Sequence, residues 1–318
     1  MQHPLGQPPF PKHFDGKRYF NPDAPQVSGF LDVLRWKFTS RPDPSPRFVD
    51  DVVPFKPPSD VEGNHLRVTL INHSTVLLQQ GGANLLTDPV WSERVSPIAW
   101  IGPRRKRKPG VLWEDLPRID AVLLSHNHYD HLDLATLRRL VQRDRPRFVV
   151  PLGVAALLKS QSIGPVDEID WDDSLPLGGG TIHCVPALHF SARGLFDRNR
   201  TLWCGYIIEA AGRMIYFAAD TAFGAHFGQI RERFGPPHLA LLPIGAYRPR
   251  WFMSPVHMAP EEAVLAHKIL AAETSIAIHH GTFQLADESL DAPKRELLAC
   301  RADDSFLVLD NGQSVTLA

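Results

Sequence analysis

Cysteine is scarce and scattered: Cys184, Cys204 and Cys300 are the three in 318 residues, and no two form a Cys-x-x-Cys pair. An odd, widely spaced set excludes a disulfide framework and a thiolate metal site, and it fits a reducing, cytoplasmic setting. Excess charge of either sign is also missing. Thirty-four basic against 35 acidic residues leave a net charge of -1, so no global field gathers nucleic acid, and none is expected as a partner. No apolar run approaches the roughly 18 residues of a membrane span, and "MQHPLGQPPFPKHF" lacks the charged-then-apolar order of a secretion signal. The Gly-rich "PLGGGT" leads into no helix carrying a lysine, which excludes a phosphate loop and leaves a hairpin or loop. No serine or cysteine nucleophile motif is evident.

What the chain does have is first proline, then strands. Twelve of the 29 prolines fall within residues 1–60, where proline, lacking an N–H and fixing φ, prevents helix interiors and central strands. Residues 1–64 therefore read as a Pro-rich N-terminal arm. Within "GFLDVLRWKF", Phe30, Leu31, Leu34 and Phe38 recur at helical spacing, so a short amphipathic helix is expected there. Its apolar stripe is expected to pack on the main body, with a membrane-interface role for the stripe, Trp36, Arg35 and Lys37 as the alternative. Residues 65–318 read as one α/β unit. Strand-like runs such as "LRVTLI", "STVLLQQ", "ANLLTD", "RFVVP" and "RMIYFAAD" come first together and then alternate with helical stretches such as "LDLATLRRLVQR" and "APEEAVLAHKILAAE". That order repeats in the second half. Two facing β-layers with helices outside are the simplest outcome.

The densest polar chemistry lies in "SHNHYDHLD", directly after the apolar "AVLL". His126, His128, Asp130 and His131 stand where a buried strand emerges into a loop before a helix. Two imidazoles two residues apart can share one ion, while the following Asp and His face a second. Nitrogen and carboxylate donors without thiolate suit zinc in an open, catalytic arrangement. The remaining donors must come from elsewhere, and three apolar runs end in them: "VPALH" in His189, "MIYFAAD" in Asp220, "SIAIH" in His279. Strand ends of such a sheet converge on one edge. The donors divide into His126, His128 and His189 for one ion, and Asp130, His131 and His279 for the other, with Asp220 between them. Neighbouring strand residues face opposite ways, so His279 is chosen over His280.

This pattern resembles the metallo-β-lactamase superfamily. The words "NLLTDPVWSERVSP", "IDAVLLSHNHYDHLD", "FAADT", "PIGAYRPRWFM", "HMAPEEA" and "AIHHGTF" are similar to its branch of N-acyl-phosphatidylethanolamine-hydrolysing phospholipase D. The resemblance implies an αββα sandwich with two zinc ions between the sheets, Fe or Mn being alternative metals. It implies that Asp88 supports a ligand histidine from behind and that His257 contacts the phosphate or leaving group. Tyr247 and Arg250 in "GAYRPRW" are weaker candidates for substrate contact. Asn127 stands where di-iron relatives carry a glutamate ligand, which disfavours redox chemistry. Two departures are visible: Asn72 precedes His73 where glycine is usual, and Arg248 stands where an acidic residue is common.

The expected activity is hydrolysis of a phospholipid or other phosphodiester by metal-activated water, with Asp130 or Asp220 steering its proton. The same centre on another bond (lactone, amide or cyclic phosphodiester) and a non-catalytic metal-binding interaction protein are the alternatives. The basic run "RRKRK", Arg104 to Lys108, reads as a solvated loop or as a contact to anionic lipid head groups. Peripheral membrane contact and a homodimer are the further associations the resemblance raises.

Overall fold

In β1 (Leu66–Asn72), Val68 and Leu70 turn into one apolar cluster and Ile71 into another. Alternation of this kind needs partners on both sides of a sheet. In the computed structural model, which describes residues 12–22, 29–61, 63–98, 100–177, 179–194 and 196–317, two seven-stranded sheets provide them. The arm's first eleven residues and residues 23–28 lie outside the described ones. The first sheet runs β14 (Ser314–Leu317), β1, β2 (Thr75–Gln80), β3 (Ala83–Thr87), β4 (Ala121–Leu123), β5 (Arg147–Pro151) and β6 (Val166–Ile169). The second runs β13 (Phe306–Leu307), β12 (Thr274–Ile278), β11 (Leu239–Pro243), β10 (Arg213–Phe217), β9 (Gly205–Ala210), β8 (Gly180–Val185) and β7 (Ser174–Leu177).

Each sheet begins with antiparallel hairpins and continues with parallel strands joined through helices. Leu70, Val76, Leu78, Leu123 and Val149 of the first sheet meet Tyr206, Ile208, Phe217, Leu241, Ile276 and Ile278 of the second in a shared middle layer. On the outer face of the first sheet, Leu77, Leu86, Val122 and Phe148 pack against Leu137 and Leu140 of α2 (Leu134–Arg143) and Val154 and Leu158 of α3 (Val154–Ser160). On the outer face of the second, Ile207, Tyr216, Ala240 and Leu242 take up α4 (His226–Phe234), α6 (Pro260–Leu270) and α7 (Ala292–Cys300). The result is the expected αββα sandwich. Full burial of each aliphatic or aromatic side chain contributes roughly 1.5–3 kcal/mol, so three such layers fix the strand order.

The arm departs from expectation. Its helix α1 (Phe30–Thr39) forms, but Leu31 and Phe38 remain 78% and 85% exposed. The anchor is instead Trp36, whose Nε1–H donates to Asp287 Oδ1 at 3.0 Å while its ring stacks on Phe252 of α5 (Arg250–Met253). The run Arg104 to Lys108 is divided: Arg104 and Lys108 are exposed as a solvated loop would have them, whereas Arg105 and Arg107 are buried. Arg107 pairs with Asp51 and Asp291, Lys108 with Asp50, and Arg104 with Glu93. Lys106 Nζ donates to the Pro46 carbonyl, and Arg105 is buried with its guanidinium donating to the carbonyls of Val90 and Ser92. Asp50 and Asp51 of the arm, with Glu93 and Asp291 of the main body, pair with the cluster, and Val49 forms a parallel bridge to Arg107. Among the described residues no helix is long and apolar enough to cross a membrane.

Candidate metal centre

The ends of β1, β3, β4, β10, β11 and β12 open onto one edge of the sandwich, and seven donors gather there. Proline 186 ends β8 because it has no N–H for the ladder, which leaves His189 on the loop beyond. β12 ends at Ile278 because His279 adopts φ +58°. Gly245, after β11, is a glycine for a visible reason: a Cβ there would lie 2.0 Å from the His279 carbonyl oxygen. Strand ends and loops thus meet at backbone contact around the histidines.

His126 Nε2 and His189 Nε2 lie 2.8 and 3.2 Å from His128 Nδ1, so three imidazoles converge on one point. Beside them, Asp220 Oδ2 lies 3.1 Å from His279 Nε2, 3.2 Å from His131 Nε2 and 3.7 Å from His189 Nε2. Asp130 Oδ2 lies 3.4 Å from both His131 Nε2 and His279 Nε2. The structure therefore brings together all seven residues named from the sequence, with Asp220 touching both groups. His280 is buried away from them, where burial pushes it down to about 4 with Lys294 and Arg107 nearby.

Ring orientation is set from behind. Asp88 Oδ2 accepts from His131 Nδ1 at 2.7 Å and from the Ser125 hydroxyl at 2.6 Å, while Asp88 Oδ1 accepts the Ser125 N–H at 2.8 Å. The Ser125 oxygen lies 2.8 Å from His126 Nδ1, and the Val256 carbonyl lies 3.0 Å from His189 Nδ1. In all three rings Nδ1 is occupied, which leaves Nε2 with its lone pair toward the centre. Outside, the Arg193 guanidinium donates to the carbonyls of Asn127 and Leu132 and stacks on Tyr129 at 3.9 Å, holding the motif loop.

The electrostatics call for positive charge. Burial opposes charge on every group here, yet Asp220, Asp130 and Asp88 outweigh it at His131 and hold that imidazole well above the ordinary value. His279 is likewise raised, to about 9, by Asp220 and Asp130 against burial. Burial would raise Asp130 and Asp220, but the facing imidazoles hold both well below the usual carboxylate range. His128 and His189, buried and next to other imidazoles, are pushed down to about 3 and about 4. Meanwhile His131 Nε2, His279 Nε2 and Asp220 Oδ1 are buried without hydrogen-bond partners. Two carboxylates in need of cations, facing imidazole nitrogens whose raised proton affinity a metal cation would satisfy in the proton's place, fit bound divalent metal.

The second-sphere and substrate candidates are placed unevenly. His257 sits at the rim, its Nδ1 4.0 Å from Asp220 Oδ2 and without a hydrogen-bond partner. Arg250 forms an ion pair with Glu262 and donates to the His257 carbonyl at 3.1 Å, so it braces the His257 loop rather than reaching the centre. Tyr247 is buried toward Arg248 and Glu296. Arg248, which stands where an acidic residue is common, pairs with Asp43 and Glu296. Residues missed in the sequence are His73, whose Nε2 lies 3.1 Å from Asp130 Oδ2, Ser125 behind His126, and Glu288, which accepts the N–H groups of Ala246 and Arg248. A histidine at the end of an apolar run was the available signal for His73.

Comparison with known proteins agrees with this geometry. A family model described as "Beta-lactamase superfamily domain" matches residues 83–280. The chain is 40% identical over 266 residues to the Caenorhabditis elegans protein named N-acyl-phosphatidylethanolamine-hydrolyzing phospholipase D 1, covering 78% of this chain and 75% of that one. A Saccharomyces cerevisiae protein named N-acyl-phosphatidylethanolamine-hydrolyzing phospholipase D, mitochondrial, is 36% identical over 68% of this chain and 47% of its own length. Among solved structures, a metallo hydrolase from the hyperthermophilic archaeon Ignicoccus hospitalis shares the fold with a TM-score of 0.61 at 23% identity, covering 80% of this chain and 99% of that one.

Proposed function

We propose that this chain, which belongs to the metallo-β-lactamase superfamily and is a metal-dependent hydrolase, uses zinc to cleave a phosphodiester bond of a glycerophospholipid in the manner of a phospholipase D. The observation that carries the reading is the pair of donor groups joined at Asp220 in a chain 40% identical to a relative named for that reaction. His126, His128 and His189 would hold one ion, Asp130, His131 and His279 a second, with Asp220 shared. Zinc there, with Fe or Mn as alternatives, supplies Lewis acidity toward a phosphoryl oxygen and a water of lowered pKa.

The chain's own residues do the rest. Asp88, Ser125 and the Val256 carbonyl keep three imidazoles in one tautomer and orientation. Asp130 and Asp220 stay anionic at neutral pH and are the hydrogen-bond acceptors that steer the proton of the attacking water. Burial holds His257 well below the ordinary histidine value, so it offers the leaving group a hydrogen bond from a neutral ring and not a positive charge. A groove of about 520 Å³ lies against the motif loop, and in it the guanidinium groups of Arg94, Arg138 and Arg193 outnumber the carboxylates of Glu93 and Asp133, a balance that suits an anionic head group. Peripheral membrane contact belongs to the same reading: Leu31 and Phe38 of α1 are 78% and 85% exposed, and Arg35 of that helix stacks on Trp251 of α5, itself 44% exposed.

The test is product identification. Zinc-loaded protein, given vesicles of N-acylated and unmodified phosphatidylethanolamine, is expected to release phosphatidic acid. Turnover of lactones, amides or cyclic diesters without any lipid diester would contradict the substrate assignment. No turnover at full metal occupancy would favour a non-catalytic binding protein.

A further inference from the structure

We infer that His73 is a positioning residue of the metal centre, its ring fixing the Asp130 carboxylate and its main chain fixing His279. The inference rests on the reading of the centre given above. His73 and Ser74 form the two-residue turn between β1 and β2. Hairpin turns are ordinarily solvent-exposed, but Asn72, His73, Ser74 and Thr75 are all buried. His73 also has φ +49°, a left-handed conformation that glycine or asparagine adopts at less cost. A bulky side chain kept in a buried, left-handed turn needs a compensating contact.

Two such contacts are present. Through its main chain, His73 accepts the His279 N–H at 2.9 Å and donates its own N–H to Thr282 Oγ1 at 3.0 Å, so a turn of one sheet is tied to the ligand-bearing end of the other. Through its ring, Nε2 lies 3.1 Å from Asp130 Oδ2, and the ring lies 4.2 Å from that of His279. Nδ1 is buried without a partner, which places the proton on Nε2, as donor to the carboxylate. His73, Asp130, His131 and His279 bring four donor atoms within 4.8 Å of one another. His131 and His279 also approach Asp220, the residue shared by both groups. No ion-pair contact joins His73 to Asp220 among the described residues. His73 therefore touches the carboxylate from outside the shared point, and its effect is confined to the ion held by Asp130, His131 and His279. The three-histidine group does not depend on it.

Metal affinity of the folded protein separates the possibilities. Wild-type protein, His73→Leu (bulk kept, donor lost) and His73→Gln (donor kept) are titrated with zinc against a competing chelator, and their cobalt(II) visible spectra are recorded. The expected result is two tight ions in the wild type. In His73→Leu one ion is weakened about 10- to 100-fold, the range for loss of a hydrogen bond behind a ligand, and the other is unchanged. His73→Gln should recover most of the lost affinity. If His73→Leu does not fold, His73→Gln and the wild-type zinc protein decide: an imidazole ¹H–¹⁵N correlation should show His73 neutral and protonated on Nε2. An unprotonated, metal-bound Nε2, or equal affinity of wild type and His73→Leu for both ions, overturns the inference alone. A wild type that holds no tight ion overturns the proposed function and this inference together.

Discussion

His226 is 4% exposed, its Nε2 lies 3.1 Å from the Thr221 hydroxyl, and burial pushes it down to about 3. The unfolded chain keeps such a group near 6.5, so between pH 6.5 and 3 the unfolded state binds the extra proton. Its contribution is complete above pH 6.5 and is lost as pH falls toward 3. At pH 5 the loss amounts to about 2 kcal/mol. In urea titrations the wild type should therefore lose about 2 kcal/mol more than His226→Leu between pH 7.5 and 5; equal losses would refute the assignment. At this scale the sequence was readable wherever donors were dense or ended an apolar run, as in His126 to His131, His189, Asp220 and His279. It was unreadable where a role depends on two sheets crossing. His73 is a single imidazole in a two-residue turn, and only folded contacts, its ring against Asp130 and its main-chain bond to His279, give it a task. Arg250 stands at the right place in the chain, but its ion pair with Glu262, 12 residues on, draws it to the His257 loop, and Tyr247 is buried.

Helix α2 shows how an element can hold the centre without touching metal. Its N-cap Asp133 accepts the N–H groups of Ala135 and Thr136 and the Thr136 hydroxyl, and on its other side the N–H groups of Trp91 and Ser92. One carboxylate thus joins the helix that follows the His126 to His131 loop to the segment that follows Asp88. Asp133→Ala should cost about 2–3 kcal/mol, more than an ordinary cap, because buried donors on two segments lose their acceptor. Urea midpoints measure this, and a loss below about 1 kcal/mol, the ordinary cap value, would show the tie to be incidental. Asp before an apolar three-four pattern made α2 legible from the sequence. Among the elements that went unread are edge strands of only 4 residues, too short to establish a period, β6 in "VDEI", β7 in "SLPL" and β14 in "SVTL", and α7 in "APKRELLAC", whose apolar residues are too few for a clear stripe.

Across the whole molecule, two halves of like order stack so that the ends of β3, β4, β10, β11 and β12 share one edge, and the arm closes over the side with charge pairs. This last feature was beyond a sequence reading: Arg107 pairs with Asp51 of the arm, 56 residues away, and with Asp291 of the main body, 184 residues away, and counting basic residues in one run cannot reveal such partners. The sandwich was legible because strands that first run together and then alternate with helices, in both halves, are most simply two facing β-layers with helices outside, and the centre because strand ends of such sheets converge. The claim on which the account stands is that seven side chains surround a pair of divalent cations. Anomalous X-ray scattering at the zinc edge from crystals of the zinc-loaded protein tests it directly. The account predicts two peaks flanking Asp220, one among His126, His128 and His189 and the other among Asp130, His131 and His279. Crystals grown with zinc that show no anomalous density at Asp220 would contradict it.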